Sequence, residues 1–127
     1  MDKFTETYIE MVTKAKEIQD LCKYQEGDWF YFDEFDWEIM RDGDNRDWYK
    51  NNYKWLPTLE DLFGILNNQY PVGIFIIIKE FNVWLEDRTL RKAYKDLKDY
   101  FLDYIMEILY NKSWNPEKNE WEESNGS

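Results

Sequence analysis

Apolar residues recur at helical spacing through the start of the chain, at Phe4, Tyr8, Met11, Val12, Ala15, Ile18, Leu21 and Cys22. No proline or glycine intervenes before Gly27, so the spacing predicts one helix over about residues 3–24, with Asp2 capping its first turn. The period then shortens. Trp29 to Phe32 favours extended backbone, and Phe35, Trp37 and Ile39 alternate with Asp36 and Glu38. Two antiparallel strands are expected, turning near Asp33-Glu34, the second burying Phe35, Trp37 and Ile39 and pointing its acids outward. Asp42-Gly43-Asp44-Asn45 reads as a turn, and Asp47 to Lys50 as a short third strand.

Pro57 and Thr58 open a short helix, in which Thr58 caps and Asp61 completes a capping box. Leu59, Leu62, Phe63 and Leu66 form its inner face, and Asn67-Asn68 ends it. Gly73 to Ile78 is continuously apolar, which predicts a central strand covered on both faces, with Phe81 to Leu85 extending it or returning beside it. A long helix over about 88–111 turns Leu90, Ala93, Tyr94, Leu97, Phe101, Tyr104, Ile105, Ile108 and Leu109 inward. Its wet face carries Lys92, Lys95, Asp96, Lys98, Asp99 and Asp103. Beyond Asn111, Trp114 and Trp121 are expected to pin a tail that is mobile toward its end, from Glu117 to Ser127. The predicted architecture is α+β: an antiparallel or mixed sheet sandwiched between an N-terminal helix, a short central helix and a long C-terminal helix.

Composition adds constraints on partners. The 127 residues suit a single domain, and 27 acidic against 16 basic residues give a net charge of −11. That field repels nucleic-acid phosphates and anionic lipid and attracts a basic partner, though an acidic surface also serves solubility. The longest apolar stretch, Val72 to Ile78, falls far short of the roughly 20 residues that span a bilayer. Cys22 is alone, so no intramolecular disulfide forms and a reducing cytoplasm is the expected setting.

Little in the chain offers bond-making chemistry. There is no histidine to act as base or zinc ligand, and Cys22 reads as a small core hydrophobe. Asp42 to Asp47 resembles a calcium loop superficially, but Arg46 stands at the third ligand position and Asp47 replaces the required glycine. Asp33/Glu34 and Glu60/Asp61 are carboxylate pairs of the kind that 27 acids produce by chance. The expectation is therefore a non-enzymatic protein without metal or cofactor.

Eight acids lie between Asp28 and Asp47 against only Arg41 and Arg46, interleaved with aromatics. On strands, alternate carboxylates stand roughly 6–7 Å apart, close to phosphate spacing in nucleic acid. The predicted partner-binding residues are Asp33, Glu34, Asp36, Glu38, Asp42, Asp44 and Asp47, with Trp29, Trp37 and Trp48 as anchors. A strip of this kind would occupy a basic, nucleic-acid-binding surface of a partner protein. The alternative is that exposed aromatics stack a nucleobase, with phosphates held by Arg41, Arg46, Lys50, Lys54, Arg88 or Arg91.

Several segments together resemble a family of small phage and prophage proteins of Gram-positive bacteria, the phage α-β-α sandwich domain. They are Gly27-Asp28-Trp29, Trp55-Leu56-Pro57-Thr58-Leu59-Glu60-Asp61-Leu62, Tyr100-Phe101 through Met106, and Tyr110-Asn111-Lys112-Ser113-Trp114-Asn115 with Trp121 beyond. Residues 58–61 depart from the more basic, glutamine-rich run of that family. The resemblance implies a fold and a viral or mobile-element origin, and it transfers no functional residues. Small acidic phage proteins of this genre are often antagonists of host defence. The expected function is therefore an inhibitor of a host defence protein in the bacterial cytoplasm, most specifically an anti-CRISPR protein. A nucleotide-sequestering sponge and an accessory structural or regulatory phage protein are the alternatives. The expectation includes neither direct nucleic-acid binding nor a membrane, and leaves oligomeric state open.

Overall fold

The computed structural model describes residues 4–33, 36–41, 43, 47–48, 53–88, 94 and 96–123, the side chains of residues 32, 33, 36–38 and 88 excepted. The first helix, α1, covers Glu6–Thr13. Thr5 caps it, its Oγ1 accepting from the Tyr8 amide at 2.9 Å, whereas Asp2 lies outside the described residues. The single helix expected to residue 24 breaks at Lys14 and Ala15, and a short α2 (Lys16–Gln19) follows. The break lets Gln19 reach two backbones. Its Nε2 donates to the Val12 carbonyl at 3.0 Å and the Trp55 carbonyl at 2.8 Å, and its Oε1 accepts from the Trp55 amide at 2.8 Å.

Strands β1 (Trp29–Asp33), β2 (Asp36–Ile39) and β3 (Lys54–Leu56) form an antiparallel sheet in the order β2-β1-β3. The predicted hairpin is present, with Trp29 opposite Ile39 and Tyr31 opposite Trp37; its turn at 34–35 lies outside the described residues. Phe30 is buried at the centre, but Ile39, expected inside, is 37% exposed. The third strand is Lys54–Leu56 and not 47–50, because Asp47 and Trp48 have helical backbone. Gly43 sits in a turn at φ +89°, and the rest of the predicted Asp42–Asn45 turn lies outside the description. On the outer edge of β3 the Gln19 amide bonds the backbone N–H and C=O of Trp55, taking the place of a further strand.

Helix α3 (Leu59–Gln69) begins as predicted. Thr58 Oγ1 accepts from the Asp61 amide at 3.2 Å, and Asp61 Oδ2 accepts from the Thr58 amide at 2.9 Å. Leu62 and Leu66 are buried and Phe63 is half-buried, while Leu59 stays exposed; the helix runs past Asn67-Asn68 to Gln69. The predicted central strand at 73–78 is a helix instead. Ile74–Arg88 forms α4, which departs from α3 at a bend of 107°. Ile77 and Phe81 are buried and Trp84 and Leu85 partly so, the i, i+4, i+7, i+8 spacing of one helical face.

Helix α5 (Leu97–Tyr110) is shorter than expected: Asp96 caps it, Tyr94 precedes it without helical backbone, and Leu90, Lys92, Ala93 and Lys95 lie outside the description. Asp99 and Asp103, predicted on its wet face, are fully buried. Asp99 accepts from the Thr5 hydroxyl at 2.9 Å, joining α5 to the cap of α1. Asp103 accepts from the Tyr94 hydroxyl at 2.9 Å and the Trp114 amide at 3.1 Å. The pinned tail forms a hairpin, β4 (Lys112–Asn115) with β5 (Glu120–Glu123), in which Trp114 stands opposite Trp121; the end expected to be mobile, from 124 on, lies outside the described residues. Trp114 is buried, and Trp121 Nε1 donates to the Met11 carbonyl at 2.9 Å, so both tryptophans pin the hairpin to α1 and the core. The fold is α+β, as predicted, but its described strands make two small antiparallel sheets.

Candidate functional site

A groove of about 440 Å³ opens between the segment after α2 and one side of α3. Leu21, Lys23, Gln25 and Asp28 form one wall, and Glu60, Asp61, Gly64 and Asn68 the other, with Trp55 between them. The first wall is fixed by backbone bonds: Gly27 N–H donates to the Met40 carbonyl, Met40 N–H to the Asp28 carbonyl, and Gln25 N–H to Asp28 Oδ2. Positive φ at Tyr24 and Gly27 turns the chain here, a conformation that costs little only at the glycine.

Three acidic residues, Asp28, Glu60 and Asp61, line this space with one lysine, Lys23; one oxygen of Asp28 accepts from the Gln25 amide and one of Asp61 from the Thr58 amide. Partial burial pushes the Asp28 carboxyl above the usual range, against the Gln25 amide bond, and the nearby Asp61 adds to the rise. The indole Nε1 of Trp55 is buried and has no hydrogen-bond partner among the described residues. Gly64 is the unusual wall residue. It lies inside α3, where glycine costs about 0.5–1 kcal/mol relative to alanine, yet a Cβ there would meet nothing within 4 Å. Packing against the described residues does not require glycine at this position. The missing side chain leaves the wall bare, so another molecule can approach the helix backbone closely.

The predicted acidic and aromatic strip is only partly described. Glu34, Asp42 and Asp44 lie outside the described residues, and Asp33, Asp36, Trp37 and Glu38 are described as β1 and β2 backbone only. Trp29 is half-buried with its ring edge-on to Phe4 at 6.2 Å, so it packs on the core and is not a free anchor. Asp47 is exposed, and so is Trp48 at 49%, its ring edge-on to Tyr53 at 4.6 Å. Asp47 and Trp48 therefore share one accessible spot, on helical backbone and not on a strand.

A second surface is apolar. Val72, Ile74, Phe75, Ile76, Ile78 and Val83 are all exposed on and before α4, and Phe75 is 84% accessible. Sequence reading placed most of them in a central strand and missed both this surface and the groove. The signal for the helix was the spacing of Ile77, Phe81, Trp84 and Leu85, and the signal for the groove was a glycine inside a predicted helix.

Cys22 is half-buried, and desolvation pushes its thiol up to about 12, so the reactive thiolate is suppressed at neutral pH. Among the described residues, no three acidic or cysteine side chains converge to hold a metal, and no single helix is long and apolar enough to cross a membrane. No known protein family matches the chain, and no curated protein or solved structure matches it.

Proposed function

We propose that the protein works by binding, without catalysis, and that it docks a basic side chain of a partner protein in the groove between the Leu21–Asp28 segment and α3. The observation that carries this reading is the pairing of three carboxylates with a single lysine beside a helix wall left bare at Gly64. A guanidinium or ammonium entering there meets negative charge already partly shielded from water, where the attraction is stronger than on open surface. The −11 net charge steers such a partner toward the whole molecule. A phosphate-bearing ligand fits the groove poorly, since Lys23 is outnumbered, and this disfavours the nucleotide sponge.

Taken with the phage-domain resemblance, the reading becomes an inhibitor of a host defence protein. Its most specific form is an anti-CRISPR protein covering a basic nucleic-acid channel. Asp47 and Trp48 add an accessible acidic and aromatic contact within the predicted strip.

The test is a pull-down from host lysate at low and high salt, comparing wild type with Glu60→Lys and Gly64→Leu. The expected result is a basic protein captured at low salt and lost at high salt and from both variants. Gly64→Ala is expected to raise stability by about 0.5–1 kcal/mol, which shows separately that the wall residue is not needed for folding. Equal capture by Glu60→Lys and wild type, with an unchanged salt slope, would remove the groove from the interaction.

A further inference from the structure

We propose that the exposed apolar surface of α4 is covered by the same surface of a second copy of this chain. Around a helix with about 100° between successive residues, Ile74, Ile78, Phe75 and Ile76 follow one another over roughly 200° of the first two turns, before Lys79, Asn82 and Glu86 enter the same arc on either side of Val83. A helix that merely faces its own core needs an apolar stripe of about 100°, and α4 already has one in Ile77, Phe81 and Trp84. The remaining arc is surplus to the monomer.

The opposite, inner face of α4 is covered within the chain. Leu97 and Ile108 are exposed, and they lie on the same stripe of α5 as Phe101 and Tyr104, at i, i+4, i+7 and i+11. That stripe meets α4 at its middle, where Phe81 contacts Phe101 at 5.0 Å and Tyr104 at 5.2 Å between ring centroids. Its two ends are left uncovered. Since that stripe faces the inner side of α4, its ends do not continue the outward patch of Phe75 and Ile76.

Two features select a second copy as the occupant. The first is area. Val72, Ile74, Phe75, Ile76, Ile78 and Val83 together expose on the order of 600 Å², the upper end of what a monomer leaves uncovered. Doubled across a pair, this is about 1,200 Å², the lower end of a specific interface. The second is shape and charge. An apolar patch repeated on two identical chains is buried against itself about a two-fold axis. Residues 72–78 carry no charge, so two acidic chains can meet there with their carboxylates kept to the rim. A basic partner finds no carboxylate within this stretch to recognise.

The test is the solution mass of the intact chain by sedimentation over a wide concentration range, in low and high salt. The expected result is a two-chain species that tightens with salt, because screening weakens repulsion between two −11 chains. This is the opposite of the salt response expected for the basic partner, so the two proposals fail separately. Phe75→Glu and Ile78→Lys should each weaken the pair about thirtyfold or more while circular dichroism stays unchanged, since neither side chain is buried. A one-chain mass at every concentration overturns the proposal. So does a two-chain mass that neither variant alters, and so does a single chain that sediments with phosphatidylcholine vesicles in place of pairing.

Discussion

Helices α4 and α5 lie against each other and partition their side chains in opposite ways. In α4, Ile74, Phe75, Ile76 and Ile78 face out; in α5, Asp99 and Asp103 are fully buried. Yet both helices contribute to one aromatic cluster of Phe81, Trp84, Phe101 and Tyr104. The difference lies in what each position can satisfy locally. Asp103 is tolerated inside because a tyrosine hydroxyl and a backbone amide donate to it, and Asp99 because Thr5 does. Exposed apolar side chains in α4 need no such partner within the chain. Polarity of a residue thus predicts its location only after its hydrogen-bonding neighbours are known.

The sharpest way to break this contrast is within α4 itself. Ile77→Ala should destabilise by about 2–5 kcal/mol, whereas Phe75→Ser, two residues away, should change the monomer's stability by less than about 0.5 kcal/mol. Denaturant unfolding of dilute protein measures both, and comparable losses would mean that Phe75 is not an outward residue. Next in size is Asp103→Ala in α5, which strands the Trp114 amide and the Tyr94 hydroxyl and should cost about 2–3 kcal/mol in the same assay.

The third is a pH effect. Burial pushes the Asp99 carboxyl up to about 6, against the hydrogen bond from Thr5, whereas an unfolded aspartate titrates near 4. Between those values the folded chain binds more protons than the unfolded one, so stability falls as pH rises through this window. Its contribution is of order 2 kcal/mol between about pH 4 and pH 7. Asp99→Asn should flatten that part of the stability profile, and an identical profile for variant and wild type would place the titration elsewhere.

Much of the fold was legible where a local rule suffices. Pro57, Thr58 and Asp61 marked the start of α3, alternation marked β1 and β2, and Trp114 with Trp121 marked the anchored end. The run Gly73 to Ile78 misled because isoleucine favours strands and an unbroken apolar stretch has no readable period of its own. The decisive spacing lay downstream, at Ile77, Phe81 and Trp84. Nothing near Asp99 and Asp103 in the sequence marks them as buried, because their partners Thr5, Tyr94 and Trp114 come from other elements of the fold. The groove was invisible for the same reason, since its walls come from residues 21–28 and 60–69. Lysine or arginine pairing within the chain also bears on the acidic surface: Glu17 is engaged by Lys112, whose hydrogen bond outweighs burial and lowers the carboxyl below its ordinary range.

The side-chain amide of Gln19 has a consequence for how copies of this sheet can join. Since β3 spans three residues and only Trp55 turns its peptide groups away from β1, one glutamine is enough to close that border. Among the described residues, strand addition to this sheet is then left the opposite border, along β2. A sheet with a single open border can pair once, border to border, and the joined product has nowhere left to grow. Removing the amide, as in Gln19→Ala, would restore the second border and with it the route from a closed pair to an open-ended fibre.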